Sequence, residues 1–127
     1  IARVGLSEGE ADARGIAFEI TRYDLNDLDR AIADEAAHGF VKVLTVPGKD
    51  RILGVTIASE HASDLLAEFV LAMKYGLGLN KILGTIHTYP TWSEANKYAA
   101  GEWKRAHVPQ RLLTWVEKYH THRRGGE

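Results

Sequence analysis

One stretch in the second half of the chain concentrates the side chains that could do chemistry. It reads HTYPTWSEANKYAAGEWKRAH and runs from His87 to His107. Histidine and tyrosine can transfer or share protons, and a carboxylate such as Glu94 can orient a neighbouring proton-transfer group. Thr91 and Glu94 also have the spacing of a capping box, in which each side chain bonds the other residue's backbone N–H. The residues alone therefore leave both a catalytic and a capping interpretation of Glu94 open.

Composition limits what the rest of the chain can do. Its 127 residues provide material for one core, and a formal net charge of −1 makes nucleic acid or an anionic membrane an unexpected partner. Cysteine is absent, which excludes a thiolate zinc site, a cysteine nucleophile and a disulfide redox pair within these residues. No apolar run approaches the roughly 20 residues that span a bilayer. We therefore expect a soluble, cytoplasmic protein.

The elements that would position the stretch are an early group of strands and a late group of helices. Ser7 and Glu10 form a capping-box pattern that begins a short helix. The alternation of Ile16, Phe18 and Ile20 predicts a strand with these side chains on its buried face. A turn signal at 47–50 stands between two further strand-like runs and predicts a hairpin.

Two amphipathic helices are predicted after the hairpin. The main core helix covers 62–75, and its apolar face comprises Leu65, Leu66, Phe69, Val70 and Met73. The stripe of the second comprises Trp92, Ala95, Ala99, Trp103 and Ala106. The segment 24–37 is predicted to be loop with a short helical turn. This order favours an α+β fold, an antiparallel β-sheet with helices packed on one side.

Other residues have more ordinary interpretations. The pair Tyr89-Pro90 raises the chance of a cis peptide bond and a sharply fixed turn. We expect His38 and His61 to be exposed or capping, and His107 to complement the dipole of its helix. His120 and His122 form a weak candidate pair for a metal, because no third ligand stands nearby. We expect the three tryptophans in the core or in an interface: Trp92, Trp103 and Trp115. We predict no metal site.

The order of several segments resembles the C-terminal dimerisation domain of the pyridine nucleotide-disulfide oxidoreductases, the family of glutathione reductase, dihydrolipoamide dehydrogenase and mercuric reductase. The segments are VGLSEGEA, GFVKVL, GKDRILGVTI, ASDLLAEFVLAMKYGL and IHTYPTWSEA. Each alone is a weak signal, but together and in this order they are specific. The resemblance covers Ile1 to Ala106 and implies a dimerisation domain at 1–107, followed by a helical extension and tail at 108–127. The chain, which begins with isoleucine, looks like a piece of a longer one.

The resemblance implies a parent flavoenzyme whose other domains bind FAD, with a redox-active cysteine pair, and NAD(P)H. This chain has no Gly-x-Gly-x-x-Gly fingerprint, so we expect it to bind neither cofactor alone. In the family this domain forms the homodimer, and the segment before its Pro-Thr pair reaches the partner subunit's flavin. His87, Tyr89 and Pro90 are therefore the expected cofactor contacts.

Within that segment the family usually has His-Pro-Thr-x-Ser-Glu, with the histidine as acid/base and the glutamate orienting it. Here Tyr89 takes the histidine position and Glu94 the glutamate position, which makes both the catalytic candidates. With an ordinary pKa of about 10, tyrosine is a poor base at neutral pH but a usable hydroxyl donor or ligand. This substitution indicates the mercuric-reductase-like branch, although the C-terminal cysteine pair of those enzymes is missing.

A second hypothesis belongs to a different class. The chain could be a free-standing small α+β protein that binds a metal or small ligand through His87, Tyr89 and His120. An upstream FAD-binding sequence with a Cys-x-x-x-x-Cys pair would decide for the dimerisation domain.

Overall fold

The computed structural model describes residues 1–107. The strands are β1 (Ala2–Gly5), β2 (Glu19–Asp24), β3 (Phe40–Thr45) and β4 (Ile52–Ala58). The helices are α1 (Glu8–Ala13), α2 (Asp29–Ala33), α3 (Ala62–Lys74), α4 (Leu79–Leu83) and α5 (Glu94–Ala106), with a 3-10 turn at Leu25–Asp27. The predicted extension from Pro109, with Trp115, His120 and His122, lies outside the described residues.

The strands form one antiparallel sheet in the order β1-β4-β3-β2. One row across it consists of Val4, Val55, Val43 and Thr21, which stand opposite one another in register. This face is covered by α3, packed against β1 and β4, and by α5, packed against β2 and β3. The predicted α+β architecture is confirmed, with the two long helices α3 and α5 on one side of the antiparallel sheet, as is the β3–β4 hairpin.

The short helix α1 covers part of the opposite face. Its Glu8 carboxylate lies 2.6 Å from the Nζ atom of Lys42 on β3, and the neighbouring Leu44 is only 1% exposed. Gly54 on β4 lets the chain before α1 cross closely, since a Cβ there would lie 1.9 Å from the carbonyl oxygen of Leu6. As predicted, the Ser7 hydroxyl caps α1 by accepting the backbone N–H of Glu10.

The prediction for the second strand was wrong in position and in face. The strand begins at Glu19, so Ile16 and Phe18 belong to the connection that precedes it. Thr21 faces the helices because it pairs with Val43, and Ile20 is consequently 48% exposed. In a pleated strand a shift of one residue exchanges the two faces, so the pairing with β3 determines which side chains of β2 face the helices.

The helix α3 is the main core helix, as predicted, but its buried face is rotated from the predicted one. The buried residues are Ala62, Leu65, Phe69 and Ala72, whereas Val70 is 43% exposed. Gly76, with φ of +68°, follows the end of the helix in the left-handed conformation. Across residues 1–107, no helix combines the length and the apolar character needed to cross a bilayer.

Candidate functional site

The candidate residues lie on the loop between α4 and α5, at 84–93, which we call the 84–93 loop. Two of its side chains project outward, with Ile86 94% and Tyr89 65% exposed. The peptide bond between Tyr89 and Pro90 is cis, the isomer whose chance this pair raises. The loop therefore presents an aromatic hydroxyl and an aliphatic side chain on the surface of the domain.

The His87 side chain points the other way and is only 4% exposed. Its Nδ1 atom lies 2.9 Å from the carbonyl oxygen of Thr85, and its Nε2 atom lies 2.8 Å from a carboxylate oxygen of Glu68 on α3. Both partners are hydrogen-bond acceptors, so each ring nitrogen of His87 faces an oxygen atom. The amide of Asn96 on α5 donates to the same Glu68 carboxylate at 2.9 Å. The imidazole is thus built into the domain, and its contact with a cofactor stays a prediction.

Tyr89 has a partner that the sequence did not indicate. Its hydroxyl donates a hydrogen bond of 2.7 Å to Oδ2 of Asp29, the first residue of α2. This hydrogen bond, together with the negative charge of Asp29, raises the pKa of Tyr89 above its ordinary value. The phenol is therefore neutral at physiological pH and acts as a hydrogen-bond donor.

Glu94 forms half of the predicted capping box. Its carboxylate accepts the backbone N–H of Thr91 at 3.1 Å, as expected. The Thr91 hydroxyl, however, donates to the carbonyl of Thr88 instead of capping the helix, and the N-cap residue is Ser93. The second carboxylate oxygen of Glu94 accepts the Tyr98 hydroxyl at 3.1 Å. Burial, followed by this hydrogen bond, raises the pKa of Tyr98. In this structure Glu94 therefore accepts hydrogen bonds from the segment just before α5 and from the Tyr98 side chain.

Trp92 fixes the other end of the loop. Its indole N–H donates to Oδ2 of Asp34, just after α2, at 2.8 Å, and Nε of Arg30 lies 2.9 Å from the same oxygen. The hydrogen bond from Trp92 is the largest cause that lowers the pKa of Asp34, and the hydrogen bond from Arg30 is the next. The His61 ring lies 4.5 Å from the indole, so His61 is a half-buried packing residue. Trp92 and Trp103 belong to the core, as predicted.

A cavity of about 320 Å³ adjoins Asp29. Its lining includes Tyr23, Asp27, Asp29, Lys97 and Tyr98. The rings of Tyr23 and Tyr98 lie 5.6 Å apart, and burial, then the charge of Asp27, raises the pKa of Tyr23 to about 12. Within residues 1–107, no three metal-ligating side chains of histidine, aspartate or glutamate converge.

Sequence reasoning missed the residues that hold the candidates in place. Asp29 is 60 residues from Tyr89, and Glu68 is 19 residues from His87. No local spacing joins either pair. The only available signal was the acidic character of the segment 24–37, which the pattern predicted to be mostly loop.

Comparison with known proteins agrees with this architecture. The family model described as "Pyridine nucleotide-disulphide oxidoreductase, dimerisation domain" matches residues 1–100. Dihydrolipoyl dehydrogenase of Trypanosoma brucei brucei is 42% identical over 99 residues, which cover 78% of this chain and 21% of that protein. Its mitochondrial counterpart in Dictyostelium discoideum is 41% identical over 100 residues, covering 79% and 20%. The chain thus spans about a fifth of the length of the curated relatives it matches.

Solved structures show the same fold. LpdA from Mycobacterium tuberculosis superposes with a TM-score of 0.70 at 26% identity, covering 77% of this chain and 21% of that one. The HOCl-induced flavoprotein disulfide reductase RclA from Escherichia coli gives a TM-score of 0.72 at 21% identity, covering 78% and 23%, a likeness of fold alone.

The fold and the matched segments define an α+β dimerisation domain. The chain belongs to the pyridine nucleotide-disulphide oxidoreductase family, as its dimerisation domain. The resemblance stated from the sequence is confirmed, and the free-standing ligand-binding alternative is not favoured. The relatives named above are dihydrolipoyl dehydrogenases, so they do not show a mercuric-reductase-like specificity.

Proposed function

We propose that this chain forms the homodimer of an FAD-dependent NAD(P)H oxidoreductase and completes the flavin site of the partner subunit. Residues 1–107 would be the dimerisation domain and 108–127 an extension of it. The relatives are about five times longer than the matched region, which supports placing the FAD and NAD(P)H domains in the remainder of a parent protein. Family membership supports the type of domain, and the apolar surface of α3 supports our proposal for the place of contact.

The observation that carries the proposal is an apolar surface on the outside of the main core helix. We call it the α3 patch, and it consists of Val70, Leu71, Tyr75 and Leu77, which are 43%, 57%, 66% and 41% exposed. Leu71 on α3 and Tyr75, the C-cap residue of that helix, are four residues apart and therefore lie on the same side. Grouped apolar side chains of this kind usually mark a protein–protein contact.

A second copy of the chain suits this surface. Leu71 and Leu77 line a hollow of about 150 Å³ together with Ile82, which gives a partner's apolar side chain a place to pack. A twofold dimer uses the same patch on both subunits, so one patch with both a projection and a hollow can be self-complementary. Thr85 lines the same hollow, which places the 84–93 loop beside the proposed contact.

The loop would be the part of this domain that meets the flavin. When bound by the parent, FAD supplies electron transfer between the nicotinamide and the acceptor. The exposed Ile86 and Tyr89 offer an apolar edge that fits a flat ring system, and we propose Tyr89, Pro90 and the backbone at His87 as the contacts. Glu94 would support the loop through the backbone N–H of Thr91.

The identity of residue 89 supports a proposal about the acceptor. A neutral phenol can donate a hydrogen bond or ligate, but it cannot serve as an imidazole base at neutral pH. We therefore propose a reaction of the mercuric-reductase-like kind, in which Tyr89 acts as a neutral ligand or hydrogen-bonding group, over disulfide reduction with a histidine base. Tyr89→Phe in the parent should lower turnover and leave FAD content and dimerisation intact. Unchanged turnover would show that the hydroxyl is structural.

The dimer contact is tested with a matched pair of variants. Leu71→Lys places a charge in the α3 patch, whereas Ile20→Lys places one at a similarly exposed position on the edge strand β2. We expect sedimentation equilibrium to give a monomer for Leu71→Lys and a dimer for Ile20→Lys. A dimer for both variants would exclude the α3 patch as the contact.

A further inference from the structure

The carboxylate that the family motif places near residue 89 makes its hydrogen bonds to other residues. The family motif places a glutamate five positions after residue 89, and here that residue is Glu94. Both of its carboxylate oxygens have partners, Thr91 at the loop and Tyr98 on α5. The hydroxyl of Tyr89 instead reaches Asp29, from a different part of the chain, at 2.7 Å.

We propose that Asp29 has taken over from Glu94 as the positioning residue for residue 89, so that a tyrosine–aspartate pair replaces the histidine–glutamate pair of the family motif. The inference rests on the proposed function, because it concerns the same loop. It assigns a role to Asp29, which no motif indicates. Asp29 acts through Tyr89 and is not itself a catalytic residue.

Two hydrogen bonds between the 84–93 loop and the region of α2 fix the position of Asp29 relative to Tyr89. The helix α2 holds the 84–93 loop at two points, because Asp29 accepts from Tyr89 and Asp34, just after the helix, accepts from Trp92. Arg30 holds the Asp34 carboxylate through a bond of 2.9 Å. Since Trp92 is 9% exposed, this second point is anchored in the core. The loop and α2 therefore form one unit, and the Tyr89 hydroxyl has a defined direction.

The pair has a definite chemical consequence. A carboxylate that accepts a hydrogen bond from a phenol favours the neutral phenol, because tyrosinate beside it would bring two negative charges together. The charged and titratable groups that act on Tyr89 are Asp29, Glu94 and Tyr98, and all of them raise its pKa, Asp29 most. The one O–H of Tyr89 is donated to Asp29, so its oxygen lone pairs remain to accept a hydrogen bond or to act as a neutral ligand, and Tyr89 does not exchange protons with the substrate near neutral pH.

The test is an ultraviolet titration of tyrosinate in the FAD-loaded parent protein, with the signal of residue 89 obtained by difference from Tyr89→Phe. Asp29→Asn should move the midpoint of Tyr89 downward, toward the ordinary value of about 10. Asp27→Asn is the matched control, since Asp27 lines the same cavity but makes no hydrogen bond to Tyr89. Glu94→Gln should move the midpoint less than Asp29→Asn does.

A midpoint unchanged by Asp29→Asn, or moved as far by Glu94→Gln, would overturn the inference. Turnover gives a second measurement. If Asp29 acts through Tyr89, Asp29→Asn should lower kcat in the unmodified parent and have no further effect in the Tyr89→Phe background. An equal loss in both backgrounds would also overturn it. The titration needs neither turnover nor a known acceptor, so its outcome is distinct from a failure of the proposed function.

Discussion

The imidazole of His87 and the carboxylate of Glu68 lie 2.8 Å apart and join the 84–93 loop to α3. Glu68 projects from the same helix that carries Leu71 of the α3 patch. The proposed dimer contact and the loop of Tyr89 thus share one rigid support. The contact between His87 and Glu68, whose carboxylate also accepts a hydrogen bond from the Asn96 amide, contributes to their relative position.

Loss of this link should be measurable as stability. His87→Ala removes two hydrogen bonds of a buried ring and should lower the free energy of unfolding by about 2 kcal/mol. The measurement is urea denaturation of the 127-residue chain at one fixed protein concentration. His38→Ala, at an exposed histidine, should change it by no more than about 0.5 kcal/mol. Equal effects of the two changes would contradict a structural role for His87.

Phe69 should be the most sensitive position of α3. It is fully buried between helix and sheet, and Phe69→Ala should destabilise the domain by about 4 kcal/mol through lost burial and the cavity left behind. Ile32→Ala, which truncates a side chain 52% exposed on α2, should cost far less. Circular dichroism during urea denaturation provides both values. A loss below about 1 kcal/mol for Phe69→Ala would mean that α3 is not the main core helix.

The capping role of Glu94 can be separated from any catalytic role. Glu94→Ala removes the acceptor of the Thr91 N–H and should cost about 1 kcal/mol of stability. Ser93→Ala is the control, because the Ser93 side chain makes no capping hydrogen bond although it holds the N-cap position. If the two variants unfold at the same urea concentration, the hydrogen bond from the Thr91 N–H to Glu94 does not stabilise the start of α5. A loss of turnover in the parent larger than the loss of stability can explain would point to an additional catalytic role of Glu94.

The end of α5 should make stability depend on pH. The hydrogen bond from His107 to the Trp103 carbonyl, and then its contact with Glu19, raise the pKa of His107, whereas the hydrogen bond from His107 lowers the pKa of Glu19. The His107 contribution is complete below its unfolded value of about 6.5 and is lost as pH rises through the higher folded value. The Glu19 contribution is complete above about 4.3 and is lost as pH falls through its lower folded value.

The contact between His107 and Glu19 therefore stabilises the domain most at a pH above the Glu19 limit and below the His107 limit. His107→Gln should reduce the loss of stability between about pH 6 and about pH 8, as measured by the urea midpoint at each pH. His38→Gln should leave that difference as it is. An unchanged pH dependence in His107→Gln would show that the contact with Glu19 contributes nothing measurable.

The sequence was sufficient for the features set by local spacing. The Ser7 cap of α1, the turn at 47–50 and the glycine that ends α3 each depend on a few neighbouring residues. The matched segments, read together, identified the domain. The helix at 94–106 also followed from its stripe, although its last residue, Ala106, is exposed.

The features that depend on distant pairing could not be predicted. Period-2 alternation at 16–20 gave the wrong face because the pairing of Thr21 with Val43 determines which side of β2 is buried. The partners of His87 and Tyr89 come from α3 and α2, and nothing in their own neighbourhood specifies Glu68 or Asp29. The candidate residues could therefore be located from the motif, whereas their supports Glu68 and Asp29 could not.

The most direct test of the central claim is the molar mass of the FAD-loaded parent in solution, measured by light scattering across a dilution series. A homodimer that uses the α3 patch should show twice the chain mass over the upper part of the series, and Leu71→Lys should reduce it to the chain mass. A monomer at every concentration of the unmodified protein would contradict the account.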